Sequence, residues 1–130
     1  MPELREAYDG TPEAVASARH AVSRFARQVG ADHVTVGDIA LAVSEVCSNV
    51  VLHAYREPGA EAPVTVQAEQ TDHSMRLHVM DHGGGMAPRP DSPGLGFGIP
   101  LISHLADVVE VRTPPSGGTE ICMEFSWSEA

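Results

Sequence analysis

The apolar residues of this chain change their period once, and that change limits the folds open to it. From Thr11 to Tyr55 they recur every three to four residues, as one face of an α-helix requires; from Val64 onward they recur every second residue, as in a strand with one buried face. Thr11-Pro12-Glu13 reads as a helix start, with threonine as N-cap and proline at the first helical position. Val15, Ala18, Val22, Phe25, Ala26 and Val29 then form an apolar stripe that Gly30 can close in a left-handed conformation. Thr35 with Asp38 resembles a capping box with a shorter acid. It opens a second helix in which Ile39, Ala42, Val43, Val46, Val50 and Ala54 keep the period to about Tyr55. Val64, Val66 and Ala68, then Met75, Leu77 and Val79, predict two strands joined by a polar turn. Asp81 to Gly98, dominated by glycine and proline, predicts a loop, and Ile99 to Ala106 a short helix with Pro100 in its first turn. Val109 and Val111, followed across a Pro/Gly turn by Ile121, Met123, Phe125 and Trp127, predict a closing hairpin. This order predicts an α+β two-layer sandwich, with a mixed, mostly antiparallel sheet and helices on one face.

At 130 residues the chain fits one domain, 1–130. Eight Lys plus Arg against 18 Asp plus Glu give a net charge of -10, and no basic run is present to track a phosphate backbone, so a nucleic-acid partner is not expected. No apolar run is long enough for a membrane span, and Met1 to Asp9 lacks a signal-peptide core, so a cytoplasmic protein is expected. Cys47 and Cys122 lie in apolar stretches without zinc or redox spacing and read as buried thiols. The histidines, at 20, 33, 53, 73, 78, 82 and 104, show no local pairing of the kind metal sites use.

Four features carry chemistry. Glu45, Asn49 and His53 are four residues apart on the second helix and share one stripe opposite its apolar face. Asp81 ends a predicted strand and is followed by His82-Gly83-Gly84-Gly85; a carboxylate there can accept from an exocyclic amine such as that of adenine, and the glycines let a flat ring approach the backbone. Gly94-Leu95-Gly96-Phe97-Gly98 precedes a helix start, where exposed N–H groups and the helix dipole favour phosphate oxygens. Gly117-Gly118-Thr119 opens the last strand and offers a hydroxyl. Singly, these also fit a solvated helix face, a glycine turn, a helix entry and a hairpin. The Rossmann alternative lacks its strand, because 86–93 separate the second glycine run from any strand.

In this order the four features resemble the boxes of the GHKL ATPases, the family of gyrase, the heat-shock 90 chaperones, sensor histidine kinases and mismatch-repair ATPases. Residues 45–54 resemble the N box, Asp81 to Gly85 the first glycine box, Gly94 to Gly98 the second and Gly117 to Thr119 the third. The resemblance implies that ATP and Mg²⁺ are bound. Asn49 would hold the metal, Asp81 would read the adenine amine, and Gly94, Gly96 and Gly98 would cradle phosphates. Gly83, Gly85 and Thr119 would complete the pocket, with His53 near the triphosphate and Arg89 as a candidate γ-phosphate contact. The short lid, 86–93, and the sequence around Ala42 to Glu45 and Asn49 to Tyr55 look most like stand-alone bacterial anti-sigma factors that are serine/threonine kinases. In that setting a hydroxyl nucleophile needs a base, and Glu45, one turn from Asn49, is the candidate. A sigma factor, an antagonist protein and a possible homodimer would be the partners. An ATP-dependent binding module without transfer is the alternative.

Overall fold

The computed structural model describes residues 3–54, 64–81, 101–113 and 118–128, with the backbone course alone for 51–54. Its elements, in chain order, are β1 (Glu3–Tyr8), α1 (Pro12–Gln28), α2 (His33–Ala54), β2 (Val64–Thr71), β3 (Ser74–Asp81), α3 (residues 101–105), β4 (Val108–Arg112) and β5 (Thr119–Ser126). The strands form one sheet in the order β1-β2-β3-β5-β4. All pairings among the described residues are antiparallel, so the mixed character expected of the sheet is absent there. The helices pack on one face, α1 chiefly over β1 and β2 and α2 over β3 and β5. This is the two-layer α+β sandwich that the change of period predicts.

Each helix is defined by its ends. Thr11 occupies the N-cap of α1 with extended backbone, and Pro12 follows it, yet the threonine hydroxyl makes no cap bond. At the other end Gly30, at φ 99°, donates to the Arg27 carbonyl while Ala31 donates to that of Ala26. That pair of bonds is a Schellman stop, and it uses the glycine as expected. The start of α2 corrects the sequence expectation. The cap is Asp32, whose carboxylate accepts from the Thr35 amide at 2.8 Å, so the helix begins at His33 and Thr35 is already inside it. That bond holds the Asp32 carboxyl below its ordinary pKa. No described helix is long and apolar enough to cross a membrane.

The core lies between the layers. Val22, Ala26, Ile39, Val43, Val46, Leu77, Val79, Ile121, Met123 and Phe125 are essentially inaccessible, and Ile102 of α3 joins them. The apolar stripe of α1 is spent here. The first strand was not foreseen. Glu-Leu-Arg-Glu-Ala-Tyr has no period of two, and only Leu4 and Tyr8 turn inward; β1 is an edge strand paired to β2 through its backbone from Glu3↔Glu69 to Tyr8↔Val64.

Candidate functional site

In β3 the inward positions run Met75, Leu77, Val79, Asp81, and in β5 they run Thr119, Ile121, Met123, Phe125. The last member of one series and the first of the other are polar. The register pairs them directly, Asp81↔Thr119, with Val64 of β2 on the other side of Asp81. Asp81 is 4% exposed and Thr119 1%. Where the strand phase calls for an apolar residue, the fold therefore buries a carboxylate beside a hydroxyl. The Thr119 hydroxyl oxygen has no hydrogen-bond partner among the described residues. A buried hydroxyl left in that state costs roughly 1–3 kcal/mol, so a ligand able to bond to it would recover that cost.

The approach of β5 to this pair is set by glycine. Gly118 has φ 80°, and a Cβ placed on it would lie 2.2 Å from the Asp81 carbonyl oxygen and 3.3 Å from its Oδ1. No other residue brings the backbone so close to the acid without displacing it. Gly118 belongs to the segment expected both as a hairpin turn and as the third glycine box, and its positive φ is the reason glycine is needed at this point.

The helical residues come to the same end of the sandwich. Cys47, two residues before Asn49, lines a small apolar crevice with Tyr8, Val15, Ala18 and Val64, and Val64 is the residue paired with Asp81. The C-terminal half of α2 thus lies over the end of the sheet that carries Asp81 and Thr119. Glu45 and Asn49 are both half-buried. They border the buried stripe of α2 instead of opposing it, because Asn49 is only about a quarter turn from the Val46–Val50 line. A carboxylate and a carboxamide at the rim of a core face a boundary between apolar packing and solvent, where a polar ligand can be met without full desolvation. His53 is in the last turn of α2 and its side chain lies outside the described residues, as do Gly83, Gly85, Arg89, Gly94, Gly96 and Gly98.

Of the other groups sequence reading set aside, Cys47 is a core thiol, pushed up to about 12 by burial. Cys122 is not: it stands half-buried on the sheet face away from the helices, next to His78. The expectation of two core thiols and unpaired histidines is corrected there. The cause is register, which brings together residues more than 40 positions apart.

A family model described as histidine kinase-like ATPase domain matches residues 8–125, a span that holds Glu45, Asn49, Asp81 and Thr119. The chain is 33% identical over 119 residues to the anti-sigma F factor of Pasteuria penetrans, covering 83% of this chain and 79% of that protein. It is 33% identical over 112 residues to the serine-protein kinase RsbW of Halalkalibacterium halodurans, covering 77% and 69%. Among solved structures, that of the RsbU and RsbW domains of a Mycobacterium tuberculosis protein is similar, with a TM-score of 0.78 and 24% identity. That match covers 100% of this chain and 34% of the other, so the chain spans about a third of that protein's length, and the likeness bears on the fold alone.

Proposed function

The chain belongs to the histidine kinase-like ATPase domain family, and from that premise we propose that it is an anti-sigma factor with serine/threonine protein kinase activity. It binds ATP with Mg²⁺, phosphorylates a serine or threonine of an antagonist protein, and sequesters a sigma factor in the cytoplasm, with a homodimer as the working unit. The observation that carries this is the buried Asp81–Thr119 pair at the strand ends, a polar floor where the strand phase calls for an apolar one.

The residues divide the work by position. Asp81 accepts from the exocyclic amine of the base, and Thr119 supplies the neighbouring hydroxyl. Their burial excludes water and so raises the worth of each bond. Asn49 would offer a carboxamide oxygen to Mg²⁺, which would neutralise phosphate charge there. Gly83, Gly85, Gly94, Gly96, Gly98 and the His53 side chain, which lie outside the described residues, are assigned to the rest of the nucleotide site by the family resemblance alone. ATP supplies the γ-phosphoryl group. Glu45, one turn before Asn49, takes the proton from the attacking hydroxyl and so acts as the general base.

The test combines purified chain, γ-labelled ATP and candidate antagonist proteins. Label on a serine or threonine of an antagonist supports the proposal; ATP binding that promotes complex formation without any transfer replaces it with a binding module. Glu45→Ala is expected to lower transfer by about 100-fold or more, at unchanged ATP affinity, since a positioned base contributes on that scale. Undiminished transfer in that variant removes Glu45 from the mechanism.

A further inference from the structure

The sheet face turned away from the helices carries a cluster that the nucleotide site does not use. His78 of β3 is paired directly with Cys122 of β5, and Glu120, two residues before Cys122, projects from the same face. His78 Nδ1 lies 3.0 Å from Glu120 Oε1 and 3.2 Å from Cys122 Sγ. One ligand atom from each residue falls within 4.8 Å of the others. On the far side of the ring, His78 Nε2 lies 3.9 Å from Glu69 Oε1 of β2.

We propose that His78, Glu120 and Cys122 form a binding site for a zinc-class divalent cation, with Nδ1, a carboxylate oxygen and a thiolate as ligands and water completing a tetrahedron. The donor set is borderline-soft, mixing nitrogen, oxygen and sulfur, which suits zinc and disfavours magnesium or calcium. The spacing also suits it. Zinc bond lengths place tetrahedral nitrogen and oxygen about 3.4 Å apart, and nitrogen and sulfur about 3.6 Å apart, so a small outward movement of each side chain admits the ion. Nδ1 faces both other ligands, so a metal bound there would leave the ring proton on Nε2, on the side of Glu69, whose Oε1 at 3.9 Å adds charge without a direct hydrogen bond.

Electrostatics favours an ion over a bare cluster: Glu120 Oε1 lies 3.0 Å from one ring nitrogen of His78 and Glu69 Oε1 3.9 Å from the other, a concentration of carboxylate charge that a dication offsets. On binding, the S–H bond breaks, the sulfur keeps the electron pair for the metal, and the proton passes to solvent. The site sits behind the strands that carry Asp81 and Thr119, on alternate residues, so it stands whether or not the nucleotide proposal does.

Cobalt(II) titration of the untagged full chain, without nucleotide, is the test, because a thiolate-to-cobalt charge-transfer band reports sulfur ligation and ignores the scattered histidines. The wild type is expected to develop the band, to lose it to zinc, and to release a proton on binding. Cys122→Ser is expected to abolish the band, His78→Gln to weaken binding by at least about tenfold, and Cys47→Ala to leave it intact. Zinc is expected to raise the thermal midpoint of the wild type and of Cys47→Ala but not of Cys122→Ser. If Cys122→Ser fails to fold, His78→Gln decides alone. No band in the wild type, a band that survives Cys122→Ser, or wild-type cobalt affinity in His78→Gln overturns the proposal.

Discussion

The same two strands serve two different chemistries, separated by the alternation of side chains. On the helix-covered face, β3 and β5 present Leu77, Val79, Ile121 and Met123, all 2% exposed or less, and end in the buried pair Asp81 and Thr119. On the open face the intervening residues are Arg76, His78, Glu120, Cys122 and Glu124, joined by contacts such as Arg76 Nε to Glu124 Oε2 at 3.9 Å. One face stabilises the fold through apolar burial and keeps its polar groups for the strand ends. The other carries polar chemistry along its length, and its solvent-open pair, Arg76 and Glu124, contributes no more than about 1 kcal/mol. A period of two thus lets neighbouring residues, Met80 and Asp81 or Thr119 and Glu120, belong to unrelated environments.

The sharpest way to break this contrast is to truncate adjacent residues of β3. Leu77→Ala removes a fully buried side chain and is expected to cost about 3 kcal/mol in urea denaturation. His78→Ala, one position along on the open face, is expected to change the stability of metal-free protein by no more than about 0.5 kcal/mol. Equal costs would mean that the open face is part of the folding core. At Gly118 alanine meets both a left-handed backbone and the Asp81 carbonyl. The backbone conformation alone is expected to cost about 2 kcal/mol, accompanied by weakened nucleotide binding; unchanged ATP affinity would separate the turn from the site. The thiols give the mildest comparison. Cys122 is half-buried with a thiol pushed up to about 11, so its alkylation in metal-free native protein is expected to quicken roughly tenfold per pH unit between about pH 7 and 10. Cys47, in the core, is expected to resist until the protein unfolds. Mass spectrometry of the labelled peptides distinguishes the two.

What was legible in the sequence follows from the range over which each feature is encoded. The ends of α1, its stripe, and strands β2, β3 and β5 are written in local periods and in single residues such as Pro12 and Gly30, and the structure has them where they were expected. Asp81 was legible because an acid ended an alternating run just before glycines. Asp81 and Thr119 both fall in the inward phase of their strands, and that phase marks a buried polar pair. Strand β1 was hidden because an edge strand held by backbone bonds needs no alternation. The start of α2 was displaced because Asp32 and Thr35 are both good caps and only the geometry chooses between them. The His78–Glu120–Cys122 cluster was out of reach, since no local spacing joins residues that only the β3–β5 register makes neighbours.

Whether the buried acid at the end of β3 reads the amine of an adenine ring is decided by base discrimination. Calorimetric titration of the chain with ATP and with inosine triphosphate, which carries a carbonyl in place of that amine, compares ligands that differ at the one group Asp81 is proposed to bind. ATP is expected to bind at least about 100-fold more tightly, because the carbonyl of inosine triphosphate sets an acceptor against the Asp81 carboxylate where adenine sets a donor. Asp81→Asn, able to donate to the carbonyl, is expected to remove most of that preference while the fold is retained. Equal affinity for the two nucleotides, or a preference that survives in Asp81→Asn, would contradict the role given to Asp81.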